Sequence, residues 1–287
     1  MFIAIATVLF IVSSKGTAQV PRSEAEQSLL VTSNLLFKFV ESGNTNSLIE
    51  LTHLVTNRLM GPNAAASLRI AIPRAKDNDI ATIIVPGLIR GLRCSIVPIR
   101  RESAIALGSA GKKGAQAAPA LIDLIRTDDS DARNFGIEAL GKLGPLASNS
   151  VPALLKILDG PASIDVGIGS SSTRVLALAA LSKIEPRAQP SDLVLLKTLK
   201  DENPYMRIKS AALMLKRRIN VSGADGCLAT SLSADDSDLR LFAIGELLES
   251  GYRSCSPELR QRIIGALSDS DEFVKEQAKA LLNSLTK

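Results

Sequence analysis

The chain has 287 residues, 46% of them hydrophobic and 22% charged, a composition that can bury a core and excludes a disordered acidic or low-complexity chain. Aromatic residues make up 3% and Trp is absent, so Leu, Ile, Val and Ala must build the core, which favours stacked helices over a β-sandwich. A formal net charge of +5 is too small to indicate nucleic-acid binding by itself. The single histidine, His53, excludes most metal and general-base sites, which need a second imidazole or a neighbouring nucleophile.

The first residues form an apolar run typical of a secretory signal. Residues 2–12 contain one polar residue, and the run is shorter than the roughly 20 residues of a bilayer span. Gly16 and Ala18 occupy the −3 and −1 positions of a cleavage site before Gln19. The sequence therefore predicts a signal peptide over residues 1–18 and an exported protein, periplasmic or secreted. The alternatives are a membrane anchor through the same run and a buried first helix, because no Lys or Arg precedes it.

Amphipathic patterns predict helices ahead of the repeats. Two helices are expected over residues 23–40 and 45–59, and a weaker third over 63–76. Together they would form an N-terminal helical cap over residues 19–82, because the end of a repeat array must present a polar face to water. His53 lies on the second helix and is predicted to be a structural, solvated or hydrogen-bonded residue.

An internal repeat occupies residues 83–287. Six segments share an apolar residue, then a basic residue that we call the repeat base, then small residues three and six positions after it. The repeat bases are Arg100, Arg133, Arg174, Arg207, Arg240 and Lys275. They are spaced 33, 41, 33, 33 and 35 residues apart, and another apolar segment precedes each of them. The period predicts about six pairs of helices, the second of each pair starting at the repeat base.

This D-x(n)-V-R-x-x-A-x-x-A-L-G pattern resembles the HEAT-like repeat family, in the short bacterial type also found in phycobilisome-lyase-type proteins. The resemblance implies an all-α fold, a right-handed α-solenoid of stacked antiparallel helix pairs. The fourth and sixth repeats depart from the pattern, with Leu213 and Leu281 at the second small position. Their helix pairs are expected to pack farther apart. The eight-residue insert between Asp159 and Thr173 is expected to be a tolerated loop rather than a binding loop.

The resemblance favours a non-enzymatic scaffold that binds another protein or peptide on its concave face. An alternative is a lyase-type or chaperone-like module associated with an enzyme complex. Nucleic-acid binding is less favoured, because the basic clusters carry no interleaved aromatics that would stack on bases. No catalytic, metal-binding or cofactor-binding residue is predicted, and no transmembrane span is expected after signal cleavage.

Helical geometry predicts a binding groove in the middle repeats. Positions one and four after the repeat base should face the concave surface, and in three repeats they are apolar. The candidate groove residues are Val175, Leu178, Ile208, Leu241 and Ile244. The end repeats carry polar residues there instead, so the strip resembles a groove for a partner. The alternative is that neighbouring second helices bury these side chains against each other.

The repeat bases themselves are predicted to be structural. Acidic residues lie about five positions ahead of several of them, including Asp128 before Arg133 and Asp235 before Arg240. This spacing indicates hydrogen-bonded pairs within or between repeats rather than a ladder for phosphates.

Three cysteines, Cys94, Cys227 and Cys255, form no CxxC pair and indicate neither a zinc site nor a redox dithiol. Antiparallel helices in the fifth repeat would bring Cys227 and Cys255 to the same end. Export would then allow a disulfide between them and leave Cys94 as the odd thiol. The alternative is three reduced, buried cysteines.

Overall fold

The structure, a computed structural model, describes residues 23–127, 129–160, 172–184, 189–251 and 255–285. Every regular element within these ranges is a helix, so the predicted all-α class is confirmed. The chain divides into two compact units, residues 1–153 (unit 1) and 154–287 (unit 2). No helix of the described ranges is long and apolar enough to cross a membrane. The predicted signal peptide and the insert at 161–171 lie outside the described residues.

Unit 1 begins with three mutually packed helices, α1 (Glu24–Ser42), α2 (Thr45–Leu54) and α3 (Gly61–Ala71). A capping box starts α1, because Ser23 and Glu26 each accept the other's backbone N–H. The second helix ends five residues earlier than predicted, where the side chain of Asn57 accepts two backbone N–H groups and holds a turn. These helices share one compact unit with the first two repeats, and a separate cap ending at residue 82 stays a prediction.

A short helix, Asp77–Asp79, and a π-helix, Ile80–Ile84, lead into the repeats. Six helix pairs follow, as predicted. They are α4 (Val85–Leu92) with α5 (Val97–Ala110), α6 (Ala118–Ile125) with α7 (Ser130–Leu143), α8 (Val151–Asp159) with α9 (Thr173–Ile184), α10 (Gln189–Thr198) with α11 (Pro204–Arg217), α12 (Val221–Ser231) with α13 (Ser237–Ser250), and α14 (Pro257–Gly265) with α15 (Glu272–Leu285). Short 3₁₀-helices, Gly111–Ala117, Gly144–Ser150 and Ala266–Ser268, occupy three of the connections.

Local sequence explains where these helices start. Proline lies in the first turn of α4, α6 and α8, where its missing N–H costs no helical hydrogen bond. Polar caps start the second helices α7, α11 and α13, where the side chains of Asp129, Asn203 and Asp236 accept backbone N–H groups at 2.9–3.1 Å. These two signals recur with the repeat, so each helix begins at the same point of its period.

Two glycines end second helices in unit 1. Gly111 and Gly144 follow α5 and α7 with φ of +52° and +62°, a backbone conformation that side chains with a Cβ rarely adopt. Between the same two helices the packing is close, because a Cβ placed on Gly108 would lie 3.2 Å from Cα of Ala139. The small residues of the repeat pattern therefore serve the approach of neighbouring second helices.

Candidate functional site

The predicted groove residues lie mainly inside the protein. Val175, Leu178, Ile208 and Ile244 are at most 3% exposed, and Leu241 is half-buried. The prediction of an open apolar groove is therefore wrong for the first four, and the alternative of burial describes them. The reason is helix rotation, since one residue corresponds to about 100° around the axis. The face that these side chains share packs against neighbouring helices.

In unit 2, the residues two, five and nine positions after the unit's first three repeat bases lie on one side of the second helices, which we call the second-helix face. It comprises Leu176, Ala179 and Lys183 on α9, Lys209, Ala212 and Lys216 on α11, and Phe242, Gly245 and Glu249 on α13. On α9 and α13 all of these residues are half-buried or exposed. On α11, which packs against both other helices, Lys216 is exposed while Lys209 and Ala212 are buried at the bottom of a cleft.

The cleft has a volume of about 410 Å³ and lies along the C-terminal halves of α9, α11 and α13. Its charged lining includes Lys183, Lys209, Lys216, Glu246 and Glu249. Five positions after each of these repeat bases stands a small residue, such as Ala212, and this leaves the space of the cleft open. The cleft is thus a mixed site with apolar methyl groups at its floor and charges of both signs around it.

A buried ion pair lies at the bottom of this cleft. Lys209 Nζ donates to both carboxylate oxygens of Glu246, at 2.7 and 2.8 Å, and the two side chains are 11% and 9% exposed. Burial raises the pKa of Glu246, and the ammonium of Lys209 opposes that rise. Lys209 lies 3.8 Å from the exposed carboxylate of Glu249.

The sequence-based predictions did not include this pair, although the sequence contains a signal for it. Glu246 stands at the second small position of the fifth repeat, where the first three repeats carry alanine. A carboxylate at a position of close helix contact requires a buried partner. Lys209, 37 residues earlier on the neighbouring second helix, is that partner.

An aromatic pair lies on the same two helices. The rings of Tyr205 on α11 and Phe242 on α13 have centroids 5.2 Å apart and planes tilted by 53°. Both side chains are half-buried. Burial, together with the charges of Asp236 and Asp238, raises the pKa of the Tyr205 hydroxyl. The second-helix face therefore continues from the charged cleft to an aromatic contact nearer the start of α11.

The repeat bases have structural contacts, as predicted. Most of their partners, however, are not the acidic residues five positions earlier. Three of the repeat bases bind an aspartate 27 or 29 residues later, in the turn before the second helix of the next repeat. These ion pairs are Arg100 with Asp129, Arg174 with Asp201, and Arg240 with Asp269. The acidic partner is thus the following repeat's aspartate and not the residue five positions earlier.

The residues ahead of the bases contribute backbone oxygens instead. Arg207 donates to the carbonyls of Asp201 and Glu202 at 2.8 and 2.9 Å. Arg133 donates to the carbonyl of Thr127 at 2.5 and 3.1 Å, and Asp128 lies outside the described residues. Lys275 pairs with Glu272 within its own helix at 2.5 Å. The guanidinium groups of Arg133, Arg207 and Arg240 therefore hold the turns that precede the second helices α7, α11 and α13.

All three cysteines are free thiols in this structure. The possible disulfide between Cys227 and Cys255 is thus absent, and the alternative of three reduced thiols describes them, although all three are half-buried rather than buried. Asp225, two residues before Cys227 on α12, accepts the N–H of Ser256 at 2.8 Å and faces the start of α14. A separation of two residues turns the Cys227 side chain by about 200° around the helix from Asp225.

His53 is exposed on α2.

Across the described ranges, no group of three or more His, Cys, Asp or Glu residues is placed to hold a metal ion. The fold and the charged second-helix face together define a helical-repeat protein built from stacked helix pairs. The HEAT repeats family profile matches residues 85–166. The resemblance to HEAT-like repeats that the sequence pattern indicated is thus confirmed over this part of the chain.

One solved structure supports this fold, and a second has a weaker likeness. A chain from the complex of CpcE and CpcF of phycocyanin lyase from Nostoc sp. PCC7120 is similar with a TM-score of 0.54 and 20% identity, over 95% of this chain and 97% of that chain. The archaeal HEAT-like repeats protein from Thermococcus onnurineus NA1 has a TM-score of 0.45 and 16% identity, over 93% and 98%. No curated protein matches the sequence significantly. At this identity the likeness to the Nostoc chain shows the fold alone.

Proposed function

We propose that the protein is a non-enzymatic scaffold that binds another protein or peptide through the second-helix face of unit 2. The observation that carries this proposal is the cleft of about 410 Å³ on that face, with Lys209 and Glu246 at its bottom. Mixed apolar and charged groups around a concave site suit a polypeptide, which offers both kinds of group.

The half-exposed apolar side chains support the same function. Leu176 and Phe242 lie on the second-helix face beside the charged cleft, and the ring of Phe242 is fixed by its contact with Tyr205. An aromatic side chain that is already ordered loses little conformational entropy on binding. Such residues commonly anchor protein interfaces.

A role beside an enzyme complex, as in the lyase-type or chaperone-like alternative, would use the same surface and stays a prediction. Nucleic acid fits the site less well, because Glu246 and Glu249 would lie against the phosphates.

The test is site-specific photo-crosslinking in the native cells. A benzoylphenylalanine replaces Ala179 or Phe242 on the second-helix face, and in the control it replaces Thr230, which is exposed on the first helix α12. We expect a discrete cross-linked protein from the first two positions and none from Thr230. The same products from all three positions, or products from none, would contradict the proposal.

We also propose that the mature protein is exported, periplasmic or secreted, and begins near Gln19. The support is the apolar run over residues 2–12, followed by Gly16 and Ala18. N-terminal sequencing of the protein from the envelope or culture fraction tests it. A mature chain that retains Met1 or Phe2 would instead support the membrane-anchor alternative.

A further inference from the structure

The rim of the cleft in unit 2 is positive on one side and negative on the other. Lys183 on α9 and Lys216 on α11 are exposed there, and within the described residues neither forms an ion pair. Glu249 is 74% exposed on the α13 side. The positive side is the wider one, because it spans two helices.

The charges at the floor of the cleft compensate each other. Lys209 gives two hydrogen bonds to Glu246, so this pair adds no net charge. Glu249, at 3.8 Å from Lys209, lies beyond hydrogen-bond distance of it. Arg217 also lines the cleft and is paired with Asp192 at 2.7 Å. Among the exposed charges of the rim, Lys183 and Lys216 therefore outnumber Glu249.

The two ammonium groups also have a regular spacing. Lys183 and Lys216 both occupy the ninth position after a repeat base, on neighbouring second helices. Packed helices lie about 8–10 Å apart, which sets the approximate distance between equivalent positions. Carboxylates two residues apart lie on the same face of an extended peptide, about 7 Å from each other, a separation that the flexible lysine side chains can match.

We propose that the cleft binds an acidic polypeptide segment whose carboxylates pair with Lys183 and Lys216. Its backbone and smaller side chains would lie over Ala179 and Ala212, each of which stands one turn before a lysine on the same helix. This inference rests on the proposed function and names the chemistry of the partner. A polypeptide fits better than a nucleic acid, since an acidic peptide can place a neutral residue opposite Glu249, whereas every nucleotide brings a phosphate.

The test measures binding of a fluorescein-labelled peptide of alternating Glu and Ala, twelve residues long, to the full chain. The comparison peptide replaces each Glu by Gln. We expect the Glu peptide to bind more tightly than the Gln peptide, and its affinity to fall as salt rises, because salt screens exposed charges. In the double variant K183E/K216E the affinity should fall by about tenfold or more, because two attractions become repulsions.

The matched control is K112E/K142E in unit 1. Lys142 occupies the same ninth position after its repeat base, and Lys112 is also exposed, so both double variants change the net charge equally. The control should bind the peptide as the unchanged chain does. An equal loss of affinity in the two double variants would show that binding depends only on net charge, and would overturn the proposal. Equal binding of the Glu and Gln peptides would overturn it as well.

A third probe separates proteins from nucleic acids. If a twelve-nucleotide single-stranded DNA binds more tightly than the Glu peptide and loses affinity in K183E/K216E, the site is a phosphate site and the proposal fails.

The crosslinking experiment distinguishes failure of the acidic-partner proposal from failure of the scaffold function. Crosslinks from Ala179 and Phe242 without Glu-peptide binding would leave the scaffold function and reject the acidic partner.

Discussion

Arg240 and Asp269, 29 residues apart in sequence, form a two-pronged ion pair with both N···O distances at 2.7 Å. The same guanidinium donates to the carbonyls of Ala234 and Asp235 at 2.8 and 2.9 Å. One side chain thereby connects the turn before α13 to the turn before α15. The side chains are 11% and 9% exposed, so the pair is shielded from water. Two-pronged pairs of this kind are among the strongest hydrogen bonds in proteins.

Replacing Arg240 by Ala should lower the free energy of unfolding by about 3 kcal/mol, because it leaves a buried carboxylate and two carbonyls without their donor. Lys275→Ala at the equivalent position of the next repeat should cost less than about 1 kcal/mol, since its partner Glu272 is 85% exposed. Urea denaturation of the three proteins measures both. Equal effects of the two substitutions would show that burial of the Arg240 pair contributes nothing.

Asp269 should make stability depend on pH in the acid range. Hydrogen bonds from Arg240 lower the pKa of Asp269, so the unfolded chain takes up this proton at a higher pH than the folded chain. The stabilisation is complete above the unfolded pKa of about 4 and is lost as the pH falls through the folded pKa. The difference in unfolding free energy between the natural chain and D269N should therefore shrink below about pH 4.

The control for this pH dependence is D123N, because Asp123 and its partner Arg126 are about 70% exposed. Denaturation at pH 7, 4 and 2.5 gives the three differences. A D269N difference that is constant across this range would contradict the ion pair as its cause.

The Lys209–Glu246 pair should be more costly to break than to replace. Lys209→Met leaves the buried Glu246 carboxylate alone and should destabilise the chain by about 3 kcal/mol. The double variant K209M/E246L should unfold within about 1 kcal/mol of the natural chain, because two apolar side chains fill the same space without desolvated charges. A double variant as unstable as the single one would show that the pair is required for packing.

Ile208 and Leu241 provide a matched test of the buried strip, because both stand one position after a repeat base. Ile208→Ala should cost about 3 kcal/mol, since the side chain is 0% exposed and its loss leaves a cavity. Leu241→Ala should cost clearly less, because that side chain is half-buried. Thermal or urea denaturation decides the order, and a silent Ile208→Ala would restore the open groove.

The three cysteines should titrate as three thiols in denatured protein that has never been reduced. In the folded chain, burial raises the pKa of Cys227 and of Cys255, so both should react slowly with thiol reagents at neutral pH. Counting with a chromogenic disulfide reagent gives the number. A count of one would show that the Cys227–Cys255 bridge forms after export.

The repeat architecture was readable from the sequence because its signals are local. First-turn prolines such as Pro119, caps such as Asp236, and glycine at Gly144 each act within one turn of the chain. Repeated every 33 residues or so, they fix where each helix starts and ends. The helix pairs, their number and the all-α class follow from that.

Tertiary structure alone decided which face of each second helix is buried and which residues meet across repeats. A rotation of about 100° separates the buried Ile208 from Lys209 in the cleft, and only the neighbouring helices set that rotation. Lys209 and Glu246 are 37 residues apart, and Arg240 binds the aspartate of the next repeat rather than the one before it. Helix propensity is local, whereas burial and ion pairing depend on how helices stack, so the second-helix face and its cleft emerged only from the packed repeats.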